Sequence, residues 1–305
     1  MYDIASLNRH FGLGNKILFT NGPGGLPLAQ VRSSEGVAGV ALQGAHVTGF
    51  KPTGAEQVLF VSRQAVYQPG KAIRGGIPLC WPWFGANPSD PAKPAHGFAR
   101  TAPWTPAGAW VEMDGRITLQ LALHESEATL ALWPYPFQLN CNITVGHTLT
   151  VALTAVNVGQ ETITVGGALH TYFKIADIDK VAVEGLNNST YIDSLDNRTL
   201  HQQKGEVRFR GEVDRIYLNP PGELSIWDDR WKRRITLSSS GSRTAVVWNP
   251  WLEKARRFSD MVAEEYRQMV CVETANAADD TITLPPGGRH TLAVEIEVSH
   301  ADGRA

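Results

Sequence analysis

Short runs in which apolar and polar residues alternate recur along the whole chain, separated by clusters of Gly, Pro, Asn and Asp. Residues 117–123 set Ile117, Leu119, Leu121 and Leu123 against Thr118, Gln120 and Ala122, and residues 149–156 set Leu149, Val151 and Leu153 against Thr150 and Thr154. A period of two sends neighbouring side chains to opposite faces, so each run reads as a strand with one buried side. Further strands are expected at 57–62, 162–173, 180–184, 222–227, 234–237, 244–248, 269–274 and 290–298, with a glycine-punctuated pair at 36–50. Helical periodicity is confined to 252–266, where Ala255, Phe258, Met261 and Val262 recur at spacings of three and four, and short helices are the most it predicts. Many short strands with no linker, repeat or low-complexity tract predict an all-β sandwich or barrel, with residues 1–305 forming one domain.

One stretch departs from this pattern. Residues 74–100 hold five prolines (Pro78, Pro82, Pro88, Pro91, Pro94), which exclude a helix and interrupt any central ladder. Gly75, Gly76, Gly85 and Gly97 permit close backbone approach or positive φ. Its Ile, Leu, Trp and Phe content argues for a packed segment, and it opens on Arg74 and closes on Arg100. Two readings follow: one wall of a pocket for an anion, gripped by guanidinium groups through bidentate hydrogen bonds, or a loop folded over a sheet edge.

Composition narrows the partners. Twenty-eight Lys and Arg against 30 Asp and Glu give a net charge of −2, so neither nucleic acid nor an anionic membrane is expected as the main partner. The one compact basic cluster, Arg230 and Lys232 to Arg234, follows Asp228 and Asp229 and reads as a solvated hairpin. No run approaches the ~20 apolar residues of a membrane span, and the N-terminus lacks a basic start followed by an apolar core. Cys80, Cys141 and Cys271 lie far apart in apolar surroundings, as small buried hydrophobes of a reducing compartment. A cytoplasmic location is expected. No spacing of His, Cys and carboxylates suggests zinc, and no Walker loop, Gly-x-Ser-x-Gly elbow or His-Glu-x-x-His occurs.

Two side chains break the apolar pattern in a way that suggests chemistry. His170 falls on the same strand face as Thr164, Gly166 and Ala168, small residues that leave open space above the sheet; a satisfied structural histidine is the alternative. Glu273 shares a face with Met269 and Cys271. A carboxylate there loses hydration, which raises its pKa toward that of a general base at neutral pH, unless it serves a structural ion pair. Asp214 lies among apolar residues, where it accepts hydrogen bonds from sugar hydroxyls or ends a turn. His96, before Gly97, is a ligand contact or a loop anchor. Trp81, Trp83, Trp248 and Trp251 stack on sugar faces or pack in the core.

In chain order, Arg74-Gly-Gly-Ile-Pro, Phe84-Gly85, His96-Gly-Phe-Ala-Arg100, Leu169-His-Thr-Tyr-Phe173, Asp214-Arg-Ile-Tyr217, Val247-Trp-Asn-Pro-Trp251 and Cys271-Val-Glu273 together resemble the aldose 1-epimerase (mutarotase) family, in particular its glucose-6-phosphate 1-epimerase branch. The similarity runs from about Gly36 to the C-terminal strands. It implies a large antiparallel β-sandwich of galactose mutarotase type and an isomerase that exchanges the anomers of a hexose 6-phosphate. His170 matches the family's general acid, Glu273 its general base, and Arg74, His96, Arg100 and Asp214 its substrate-binding positions, with the arginines toward the phosphate. No cofactor or metal is implied, and the expected partner is a small hexose phosphate met by a monomer. Relatives usually carry Gln where this chain has Ala95, and often where it has Trp83; both departures bear on sugar specificity. A sugar-phosphate sensor and a mutarotase of free aldoses are the competing functions.

Overall fold

The structure, a computed structural model, describes residues 3–300. Its strands form four sheets in which every paired strand is antiparallel to its neighbour. The first large sheet runs Thr199–Gln202, Thr190–Asp193, Val213–Leu218, Thr244–Asn249, Met269–Asn276, Gly167–Leu169, Leu79–Cys80, with Tyr172–Lys174 also paired to Met269–Asn276. The second runs Val181–Glu184, Glu223–Asp228, Arg233–Ser240, Arg289–His300, Leu149–Asn157, Phe137–Val145, Ile117–His124, Thr105–Val111. Strand Arg289–His300 packs beneath Met269–Asn276 and Gly167–Leu169, which makes the two sheets a sandwich. A four-stranded sheet (Ile17–Asn21, Pro27–Arg32, Gly36–Ala41, His46–Pro52) packs against Ile117–His124 and Phe137–Val145 of the second, and Ile163–Val165 pairs with Ile282–Leu284.

The central strand Met269–Asn276 is buried at every position. Val270, Val272 and Thr274 turn toward the second sheet, where Thr274 Oγ1 lies 2.7 Å from Ser239 Oγ. Met269, Cys271 and Glu273 take the other side, as period two requires. A carboxylate on this strand therefore has no solvated face to retreat to.

Several expected elements take a different form. Residues 162–173 are broken into Ile163–Val165, Gly167–Leu169 and Tyr172–Lys174. The proline-rich segment causes the breaks by capturing the backbone donors: Gly166 N–H donates to Pro82 O (2.8 Å), His170 N–H to Pro78 O (3.0 Å) and Tyr172 N–H to Gly76 O (2.9 Å). Residues 57–62 are extended and largely buried but make only isolated bridges, Leu59 to Phe173 and Val61 to Gly75. Residues 252–266 hold one short helix, Trp251–Ala255, and the 3₁₀ turn Ala263–Gln268. The basic cluster does sit on a hairpin, yet Arg233 is buried, not solvated. Its guanidinium donates to Lys174 O and Gln57 O and lies 4.4 Å from the Trp231 ring, tying the hairpin to the segments beside Arg74.

The chain turns into this region at Gly75 (φ 117°) and Gly76 (φ 63°). A Cβ on Gly75 would lie 2.3 Å from Phe60 O, and one on Gly76 2.2 Å from Val47 O, both backbone atoms that cannot swing away. Gly75→Ala is expected to destabilise by more than the ~1–3 kcal/mol of an unfavourable φ alone, because it adds a backbone clash. Gly54→Ala isolates the φ contribution, since Gly54 has φ 79° and open space around it. Thermal unfolding of the two variants should show the larger fall in Tm for Gly75→Ala; equal falls would mean that the close approach carries no weight.

Candidate active site

A cavity of about 890 Å³ opens on the outer face of the first sheet, within the size range of small-molecule sites. The proline-rich segment forms one wall through Arg74, Pro78, Pro82, Trp83, Phe84 and Gly85, and His96 and Arg100 belong to the same lining. His170, Asp214 and Glu273 come from the sheet. All six residues singled out in the sequence thus share one cavity.

At its centre, His170 Nδ1 and Glu273 Oε1 are 3.4 Å apart. The approach does not make a hydrogen bond: Nδ1 of His170 and Oε2 of Glu273 are both buried without a partner among the described residues. His170 occupies the break between Leu169 and Tyr172, where its N–H is held by Pro78 O. Its ring stacks on Tyr172 (centroids 4.9 Å, interplanar angle 10°) and meets the edges of His96 (5.8 Å) and Trp248 (6.0 Å). This aromatic box fixes the imidazole in orientation as well as position.

Burial dominates the electrostatics. It lowers the His170 pKa well below the ordinary value, helped by His96, Arg100 and Arg74. It raises Glu273 well above the ordinary carboxyl value; the charge of Asp214 pushes the same way and Arg100 opposes it. These surroundings favour a neutral imidazole beside a protonated carboxyl, one proton shared by two groups.

The two arginines differ in how they are held. Arg74 Nε donates to Asp260 Oδ1 (3.1 Å), its Nη1 donates to Tyr172 Oη (3.2 Å), and its guanidinium lies 4.4 Å from the Phe258 ring. Arg100 Nη2 donates to Ala95 O (2.9 Å), and among the described residues no carboxylate pairs with it. Part of the Arg74 brace comes from one step further back: His46 Nε2 lies 2.8 Å from Gly75 O, which only a protonated nitrogen can satisfy, and burial lowers the His46 pKa to about 4.

His96 anchors the loop and also lines the cavity. Its Nδ1 accepts from Gly85 N–H (3.3 Å), which anchors the loop and leaves Nε2 as the protonated nitrogen. Burial and the two arginines lower its pKa to about 3. Asp214 is a strand residue and not a turn; its Oδ2 is 3.7 Å from Lys254 Nζ, which is closer still to Glu212 Oε1 at 2.6 Å. Of the tryptophans, Trp83 and Trp248 line the cavity, while Trp81 packs against Phe98, Trp133 and Phe137 and Trp251 against Tyr266. Lys254, Phe258, Asp260 and Arg198 also reach the lining and are not among the site residues the sequence singles out. Lys254 lies on the short helix Trp251–Ala255, Phe258 reads from the sequence as an apolar helix position, and Asp260 and Arg198 come from turns with no local signature.

Comparisons with known proteins place the sequence and the fold in one family. The sequence model of the family described as Aldose 1-epimerase matches residues 28–297. A curated protein of Escherichia coli K12 named "Putative glucose-6-phosphate 1-epimerase" is 38% identical over 263 residues, covering 86% of this chain and 87% of its own. One of the same name from Cenchrus ciliaris is 35% identical over 296 residues, covering 92% and 88%. A solved Salmonella typhimurium structure titled a "putative mutarotase" superposes with a TM-score of 0.89 at 33% identity, over 95% of this chain and 96% of that one. A galactose mutarotase-like protein of Lactobacillus casei shares the fold at a TM-score of 0.70 and 17% identity, over 89% and 100%. An antiparallel sandwich with this cavity on one sheet, matched by the family's sequence over nearly its whole length, makes the chain a member of the aldose 1-epimerase family.

Proposed function

We propose that this protein interconverts the α and β anomers of a hexose 6-phosphate, with glucose 6-phosphate as the first substrate to test. The observation that carries the reading is the His170–Glu273 pair, 3.4 Å apart, in a cavity that also presents Arg74 and Arg100. The anomeric hydroxyl oxygen and the ring oxygen are bonded to the same carbon, so an acid and a base this close can address both at once. A protein that only binds its ligand gains nothing from burying such a pair without hydrogen-bond partners.

Glu273 takes the proton of the anomeric hydroxyl while His170 gives one to the ring oxygen, through the Nε2 left free when Nδ1 turns to the carboxylate. The bond between C1 and the ring oxygen opens, and the aldehyde turns about C1–C2. The ring then closes on the other face as His170 recovers its proton and Glu273 returns one to O1. The pair holds one proton throughout. Burial alone places that proton on the carboxyl; a phosphate dianion between Arg74 and Arg100 offsets two of the charges that depress His170 and so favours its transfer to the imidazole. The phosphate also orients C1 from a distance.

Three outcomes test this reading. Glu273→Gln should slow anomer exchange of glucose 6-phosphate, followed by NMR, by the ~10²–10⁴-fold of a positioned base, while binding of the sugar phosphate stays measurable by calorimetry; near-normal exchange would remove Glu273 from the role. Arg100→Ala should lower kcat/KM for glucose 6-phosphate by ~10–100-fold, the worth of a charge-assisted hydrogen bond, and leave free glucose unchanged. Equal losses on both sugars would favour a mutarotase of free aldoses.

The third outcome concerns stability. Because the folded pKa of Glu273 is raised, the native state holds a proton that the unfolded state releases above the ordinary carboxyl value of 4.5, so this residue's contribution declines as pH rises toward the folded value. Glutamine does not titrate. The Tm of Glu273→Gln relative to the parent should therefore climb with pH above that point, and a difference independent of pH would mean that the carboxyl ionises as freely in the fold as outside it.

A further inference from the structure

Cys271 lies two residues before Glu273, on the same face of the strand. Its partners across the ladders are Tyr172 on one side and Trp248 on the other, and both line the cavity. Paired residues in antiparallel strands project to the same side, so the thiol faces the cavity from beneath its lining, where it is fully buried. One ligand atom each from His170, Cys271 and Glu273 all fall within 4.8 Å of one another.

Nitrogen, sulfur and oxygen in this arrangement suit a particular ion. Zinc bonds of ~2.0–2.3 Å define a tetrahedron whose edges are roughly 3.3–3.8 Å, and the His170–Glu273 separation of 3.4 Å already matches one edge. Small side-chain rotations bring the sulfur to the others. The two unpartnered buried atoms, His170 Nδ1 and Glu273 Oε2, belong to this same cluster. Buried polar atoms without partners are expensive, and a cation would satisfy both. A thiolate and a carboxylate also match the two charges of the ion, and Arg74, the guanidinium that acts on Cys271, is engaged by Asp260. The mix of one soft, one intermediate and one hard ligand selects a borderline transition metal over Mg²⁺ or Ca²⁺.

We propose that His170, Cys271 and Glu273 form a binding site for a divalent transition metal of the zinc type, and that the bound ion switches the enzyme off. On binding, the thiol gives its proton to solvent and the shared proton of the histidine–glutamate pair leaves with it. The ion then occupies the acid and the base together, with a fourth position turned to the cavity. Metal here is an inhibitor and no part of the reaction. The inhibitory half rests on the proposed anomer exchange; the binding half does not. Positions 170 and 271 are about a hundred residues apart, so no spacing motif announces the site.

Cobalt(II) titrated into the metal-free protein tests binding directly. A near-ultraviolet thiolate-to-cobalt charge-transfer band with visible bands of tetrahedral intensity is expected, to be displaced by Zn²⁺ and lost in Cys271→Ser. Absence of the thiolate band, or its persistence in Cys271→Ser, overturns the site. In the exchange assay, Cys271→Ser should keep the parent's rate without metal, and its half-inhibiting Zn²⁺ concentration should rise by at least the ~10–100-fold that loss of an outer-shell partner alone produces. Cys271→Ala serves the same purpose if serine disturbs the strand. A cobalt–thiolate band with zinc-insensitive exchange keeps the site and overturns the switch. If the parent shows no exchange at all, the cobalt spectrum still decides the site, and the failure belongs to the proposed reaction.

Discussion

An imidazole and a carboxyl are held against each other where water barely reaches them, and much of the surrounding architecture follows from that constraint. Neither group has the hydrogen bond that its burial calls for, so the fold must hold them by other means. Glu273 is held by its strand, which has ladders on both sides and a second sheet beneath. His170 is held by the proline-rich segment, which takes its backbone N–H, and by the rings of Tyr172, His96 and Trp248. A site of this kind is unstable locally and stable only because the sandwich around it is large.

That division explains what could be read from the sequence. The faces of His170 and Glu273 follow from period two and survive in the structure, because alternation is a property of a strand whether or not its ladder is continuous. The break in residues 162–173 does not follow, since its cause is a set of carbonyls some ninety positions earlier in the chain. Asp260 is similarly hidden: it meets Arg74 across 186 positions, from a loop that looked like the continuation of a helix. Burial of Arg233 was obscured by its company, as four basic residues near two acidic ones resemble any solvated hairpin. The helix Ile4–Phe11 carries a start signal in Asp3, whose side chain accepts from Ala5 N–H, but eight residues span too few turns for a helical period to stand out.

The glycines show the same logic at backbone level. Gly75, Gly76 and Gly97 all have positive φ, and each sits against another segment's carbonyl where a side chain has no room. They let the arginine-bearing segment pack directly on its neighbours, so that Arg74 starts from a fixed point. Its side chain is then pinned by Asp260, Tyr172 and Phe258, whereas Arg100 has only a carbonyl. On the proposed reading Arg74 is a preorganised half of the phosphate grip and Arg100 an adaptable half, the first limiting the ordering that binding requires and the second free to close on the anion.

The two departures from the related sequences fit this picture. At the two positions where the family resemblance implies glutamine, Trp83 donates its indole N–H to Pro94 O across the proline loop (3.0 Å), and Ala95 offers its own carbonyl to Arg100. The loop is thus closed by main-chain acceptors, and this wall lacks the two side-chain amides that the resemblance implies would read sugar hydroxyls. On the proposed reading the hydroxyl contacts shift to the opposite wall, where Asp214 faces Lys254, and to the Nε2–H of His96, whose tautomer Gly85 fixes. Recognition then leans on the phosphate and on shape more than on individual hydroxyls, which predicts a broader tolerance among hexose 6-phosphates than a glutamine-lined wall would allow. Side-by-side exchange rates for glucose, galactose and mannose 6-phosphates would test it, and a strong preference for one epimer would place the discriminating contact on a group other than these.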